Sequence, residues 1–165
     1  CLMKIRGLVF ILLFTTISCS GVDFVYNESK NSLNPIYNKT LYNFDGIEIT
    51  STHRHAGSFF GNNSDPLYKL NIFITEKKTK RSVQTNQAVS KLDYEMIFSY
   101  NLFNINKDCV VFDKNILSRF SYVPKSSGYN FGSDQSLLNM YDLAVKENFD
   151  QFIGFVSDRD ISSCK

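Results

Sequence analysis

The sequence predicts an α+β fold, a four-stranded and mostly antiparallel sheet packed by one long C-terminal helix. Three observations predict it. Leu92, Tyr94, Met96, Phe98, Tyr100 and Leu102 alternate with Lys91, Asp93, Glu95, Ile97, Ser99 and Asn101, and a period of two means a strand with one face in a core. Leu137, Leu138, Tyr141, Val145, Phe149, Phe152, Ile153 and Val156 recur at three and four residues, an apolar helical stripe that must lie on another apolar surface. The chain also carries 15 Phe and 9 Tyr, enough aromatic area for such a sheet and helix to share one core.

The elements are read in order from the amino terminus. Lys4 and Arg6 form a short cationic region, and Leu8 to Ile17 is an almost unbroken apolar run ending at Ser18 and Cys19. A run this short cannot span the ~30 Å hydrocarbon core as a permanent helix, so residues 1–18 read as a signal peptide. Cys1 and Leu2 precede Met3 and are set aside. Thr16-Ile17-Ser18-Cys19 resembles a lipoprotein box with Thr in place of the usual Leu, which makes Cys19 the expected lipidation site. Ser20 follows rather than Asp, and this pattern implies the periplasmic side of the outer membrane. Residues 19–43, rich in Asn, Ser and Tyr, then read as lipid anchor and tether.

The α+β domain is expected over residues 44–157. Phe44 to Thr50, with Ile47 and Ile49 on alternate positions, is the first strand. Residues 51–66 hold Gly57, Gly61, Asn62, Asn63 and Pro66, leaving room for a short helix of one or two turns. Leu67 to Thr75 is the second strand, and Glu76 to Arg81 a charged turn. The alternating strand from Lys91 comes third. A turn at Asn104 to Lys107 leads to the fourth, Asp108 to Tyr122, interrupted around Asp113 to Asn115. Pro124 to Gly132 is loop, and Asp134 caps the long helix by accepting from its free backbone N–H groups. Residues 158–165 are a tail.

Chemistry is sparse. The net charge of +2 implies no nucleic-acid partner. Of the four cysteines, Cys109 and Cys164 are left after Cys1 and Cys19. An oxidising compartment would permit a bond between them, while a buried thiol at Cys109 and a frayed end at Cys164 is the alternative. His53 and His55 flank Arg54 in a Gly- and Asn-rich stretch; two ligands without a third are weak evidence for metal, so they read as exposed loop residues. There is no phosphate loop, nucleophile elbow or carboxylate pair. No enzyme, cofactor or metal site is expected. Lys77, Lys78, Lys80 and Arg81 crowd the turn with only Glu76 to offset them. They read as a solvated hairpin end that discourages edge pairing or as a contact for phosphates or acidic sugars.

The mature layout resembles LptE, the lipopolysaccharide-assembly lipoprotein family. The resemblance covers roughly residues 44–156. It rests on a lipidated start, a short strand, Leu67–Thr75, the basic hairpin, and the alternating strand with Tyr94-Glu95-Met96. Arg119-Phe120-Ser121-Tyr122 and a last helix entered through Ser133-Asp134-Gln135 and carrying Met140-Tyr141-Asp142-Leu143-Ala144 complete it. The resemblance implies a non-enzymatic partner of the LptD β-barrel that plugs the barrel and binds lipopolysaccharide. Two departures stand out. The family's first helix is well formed, whereas Ser51–Pro66 is short and Gly/Asn-rich. The family's basic ligand positions fall near Gln87 and Tyr129, which are uncharged, so the anion contact is placed on Lys77, Lys78, Lys80 and Arg81. Two other classes fit the layout: an auxiliary lipoprotein of a lipid-trafficking ABC transporter, and a periplasmic hydrolase with an unrecognised site.

Overall fold

The computed structural model describes residues 34–62, 64–83, 89–123 and 131–164. The signal peptide, Cys19, Gln87 and Tyr129 lie outside the described residues, as do most of the expected tether and the side chain of Asp134. The elements run β1 (Thr40–Gly46), α1 (Thr50–Phe60), β2 (Tyr68–Val83), β3 (Val89–Asn104), β4 (Cys109–Tyr122) and α2 (Phe131–Ser157). The sheet order is β1-β2-β3-β4. β1 is parallel to β2, and the other two pairs are antiparallel. The α+β class, the four strands and the long C-terminal helix are those the alternation and the helical stripe predict.

Both described helices cover one face of the sheet. Leu70, Ile72, Ile74, Met96, Phe98, Tyr100, Leu102, Phe112 and Ile116 point into the core and meet Ala56 and Phe60 of α1 and Val145, Phe149, Phe152 and Val156 of α2. Phe149 is the hub, with ring centroids of Phe44, Phe59, Phe60 and Phe98 all 5.1–6.3 Å away. Phe152 stacks on Tyr100 at 4.1 Å. Leu138, assigned to the buried stripe by spacing, is 53% exposed, because α2 extends past the body of the core at its N-terminal end.

The chain differs from the sequence expectation at five places. The first strand is Thr40–Gly46 rather than Phe44–Thr50. It runs in register with β2 from Thr40↔Tyr68 to Gly46↔Ile74, and the chain turns away at Gly46, whose φ is +93° and whose added Cβ would lie 2.2 Å from the Ile74 carbonyl oxygen. Only glycine takes this turn without strain. The described chain therefore reaches back into the region read as tether. Ile36 is fully buried, the Asn38 N–H donates to the Phe60 carbonyl at 3.0 Å, and the Asn34 side-chain amide donates to the Phe59 carbonyl at 2.7 Å.

The helix after β1 has three turns, not one or two. Its buried side is Thr52, Ala56 and Phe60 at spacings of four, with Ser51 beside them, and Gly57 faces open space. β2 continues through the expected turn at Glu76–Arg81 to Val83, because each of those residues pairs with β3 between Lys91 and Met96. β4 is unbroken across Asp113–Asn115. The irregularity lies at Val111, where Leu102 faces Phe112 while Phe103 faces Val110, a one-residue bulge that puts Val111 and Phe112 both inside. Finally, α2 starts at Phe131 rather than after Asp134.

Cys109 and Cys164 are bonded across 55 residues. The tail is docked, with Ile161 in the core.

Candidate functional site

The strand pairing sorts the four expected cations by face. Lys78 and Lys80 share a side with Ile72 and Ile74, while Lys77 and Arg81 point to the face that the helices leave open. Lys78 Nζ sits 2.9 Å from Glu76 Oε1 and 5.4 Å from the Tyr94 ring. Its charge is spent on a carboxylate whose side chain is only 7% exposed and which also accepts from the Tyr141 hydroxyl. Pairing with Glu76, against burial, raises the Lys78 pKa. The four cations are thus not one cluster.

What the sheet assembles instead is a trough of about 650 Å³ on the open face, where Lys77 and Arg81 meet Lys91 and Arg119 around Asp93 and Glu95. Arg81 Nε lies 2.6 Å from Asp93, and Arg119 Nε donates to Glu95 at 2.9 Å. The Ser121 hydroxyl donates to Asp93 at 2.7 Å. Four cations surround two carboxylates, a local surplus of positive charge on a surface that remains solvated. Lys91 and Arg119 escaped the sequence reading. The signal was present in the alternation of β3, which puts Lys91 beside Asp93 and Glu95, but the register Glu95↔Arg119 is a long-range pairing that no local pattern reveals.

Beside the trough the same face carries Phe73, Ile97 and Leu117, which are 50%, 37% and 41% exposed. Ile97 pairs with Leu117 and Thr75, and Phe73 is diagonal to Ile97, within reach for large side chains. An apolar diagonal therefore crosses three strands. Beyond it lie Asn43, Asn71, Asn101 and Asp113 in one paired row. The open face is a mosaic of charge, apolar centre and amides.

His53 and His55 are in α1, not in a loop. Two residues apart on a helix they point to different sides: the His53 ring packs edge-on against Phe44 at 5.1 Å, and His55 Nε2 lies 3.0 Å from Asp142 Oδ1. Arg54 donates to the same oxygen at 2.9 Å, which joins α1 to α2. Burial pushes the Asp142 pKa up, but hydrogen bonds from His55 and Ser51 and the charges of His55 and Arg54 bring it below the usual value. Ser51, Arg54 and His55 of α1 thus converge on one carboxylate of α2 and form a clamp between the two helices. Among the described residues no three His, Cys, Asp or Glu side chains converge as a metal site, and no helix is long and apolar enough to cross a membrane.

No family model matches the chain, and no curated protein matches its sequence. Solved structures do share its fold. A candidate lipoprotein from Caulobacter crescentus is similar at a TM-score of 0.54 and 13% identity, over 80% of this chain and 94% of that one. A minor lipoprotein from Acinetobacter baumannii is similar at 0.53 and 12%, over 75% and 94%. Rare lipoprotein B from Shewanella oneidensis aligns at 0.48 and 10%, over 71% and 96%. The α+β fold of this chain is one that bacterial lipoproteins use.

Proposed function

We propose that the protein is a non-catalytic lipoprotein, anchored by a lipid on Cys19 to the periplasmic side of the outer membrane, that partners an LptD-like β-barrel in lipopolysaccharide assembly. In this reading it plugs the barrel and contacts lipopolysaccharide as it passes. The signal-peptide layout before Cys19 supports the anchor, and the lipoprotein-like fold agrees with it. The observation that carries the partner reading is the open sheet face. A domain enclosed by a polar lumen presents a mixed surface rather than a purely charged or purely apolar one, and the Phe73–Ile97–Leu117 diagonal between charged and amide rows is such a surface. The trough of Lys77, Arg81, Lys91 and Arg119 supplies the cations for phosphates or acidic sugars.

The test is photocrosslinking in cells from positions 73, 97 and 117. The expected adduct is a large outer-membrane β-barrel. Adducts with permease or ATPase subunits would move the protein to the transporter class, and no adduct from any of the three positions would refute the docking face.

A further inference from the structure

The C-terminal segment after α2 folds back under one end of the sheet. That end is the row Thr40, Tyr68, Asn104 and Cys109, each paired in register with the next across the four strands. It is also where the chain enters β1. Along this row the segment makes few attachments. Ile161 is buried at 8% exposure, the Arg159 guanidinium lies 5.3 Å from the Phe112 ring, and the Ser162 carbonyl accepts from Lys107 at the surface. The Asp160 carboxylate accepts from the segment's own Ser162 N–H at 2.8 Å and lies close enough to Lys107 and Tyr68 to act on both through charge. The covalent attachment is Cys164 to Cys109, with Cys164 exposed and Cys109 half-buried.

We propose that residues 158–164 are a redox-gated strap, closed by a dithiol–disulfide oxidoreductase that bonds Cys109 to Cys164 and opened by a dithiol reductant, so that the end of the domain next to the tether is covered or uncovered. In closure the exposed Cys164 thiolate attacks the donor's disulfide and forms a mixed disulfide. The Cys109 thiolate then displaces the donor sulfur. Two thiols lose two electrons and two protons, and the donor leaves as its dithiol. Reduction reverses each step. The exposed sulfur gives a partner enzyme its point of attack. Once the bond is gone, one buried side chain, Ile161, and the surface contacts of Arg159 and Ser162 are left to hold the described segment against the entropy of a free chain end. The rest of the domain keeps its helix–sheet core, to which the strap contributes one residue.

The test is trypsin digestion of the full-length protein in detergent, oxidised and after treatment with a phosphine reductant, with samples fully reduced before mass analysis. Cleavage after Arg159 is expected to be at least about tenfold faster in the reduced protein, while Lys114 and Arg119 in β4 stay protected. Equal rates after Arg159 in both states would overturn the proposal. So would cleavage at Lys114 and Arg119 rising in step with Arg159, since the bond would then hold the whole domain. Cys164→Ser without reductant should match the reduced wild type; resistance equal to the oxidised protein would also overturn it.

Discussion

The Tyr100 hydroxyl donates to Asn148 Oδ1 at 2.6 Å inside the helix–sheet interface. The Asn148 amide in turn donates to Ser118 Oγ at 2.7 Å, and Ser118 leans on the Ala144 carbonyl of α2 at 3.4 Å. Asn148 is fully buried, so the chain of donors fixes how α2 sits over β3 and β4. Tyr100→Phe removes the donor and strands a buried carbonyl oxygen. It should cost about 1–3 kcal/mol, read from urea unfolding. Asn148→Leu removes an acceptor and a donor at once and should cost at least as much, with broadened aromatic signals as α2 loses its fixed seat.

High pH should unfold the domain. Burial pushes the Tyr100 pKa well above its ordinary value of 10.0. Burial, followed by the Glu76 carboxylate, does the same to Tyr141. The native state therefore keeps protons that the unfolded chain releases near pH 10. Stability conferred by the neutral phenols is complete below pH 10 and falls as pH rises above it, by about 1.4 kcal/mol per pH unit for Tyr100 alone. Phenolate absorbance should rise together with the loss of circular dichroism rather than before it, and Tyr100→Phe should flatten the slope.

The α1–α2 clamp works at the other end of the scale. Asp142 sits below its ordinary 3.8, so its ionised form favours the folded state above that pH, and the contribution disappears as pH falls through the folded value. The side chain is 31% exposed and its partner Arg54 63%, which limits the effect. Asp142→Asn should cost no more than about 1 kcal/mol near neutrality. The variant should also lose part of the acid-side slope in a pH series of denaturant midpoints.

The strong periodicities were legible in the residues because burial on one face writes itself into sequence. Of the core residues expected of β3, Tyr94, Met96, Phe98, Tyr100 and Leu102 are buried and Leu92, at the strand's start, is half-buried. Of the α2 stripe, Val145, Phe149, Phe152 and Val156 are buried, with Tyr141 and Ile153 packed against them. What was not legible depends on long-range pairing. Glu76–Arg81 has the composition of a turn and becomes strand only because Lys91–Met96 lies opposite. α1 hides its buried side in Ser51, Thr52 and Ala56, residues with little hydrophobic signal, and its boundary at Gly61 depends on φ +73° and close contact with Asn38. The candidate site suffered from the same gap: four cations adjacent in sequence belong to two faces, and the group that shares one face comes from three strands.

The two faces of β3 give the sharpest test, since neighbouring residues should answer oppositely. Phe98 is fully buried and packs against Phe149 at 6.3 Å. Phe98→Ala should cost about 3–5 kcal/mol, and loss of partner capture would then follow from unfolding alone. Ile97, one residue earlier, is 37% exposed on the open face. Ile97→Gln removes no core contact and should shift the denaturant midpoint by an amount equivalent to about 0.5 kcal/mol or less. If the Phe73–Ile97–Leu117 diagonal is the docking centre, the same change should cut recovery of a barrel partner in pull-down severalfold, because truncation at the middle of an interface is felt most. A stable Ile97→Gln protein that captures its partner as well as wild type would move docking off this face. Substituting Lys77 and Arg81 together then separates the second role, because their loss should weaken lipopolysaccharide binding and its salt dependence while leaving barrel capture intact.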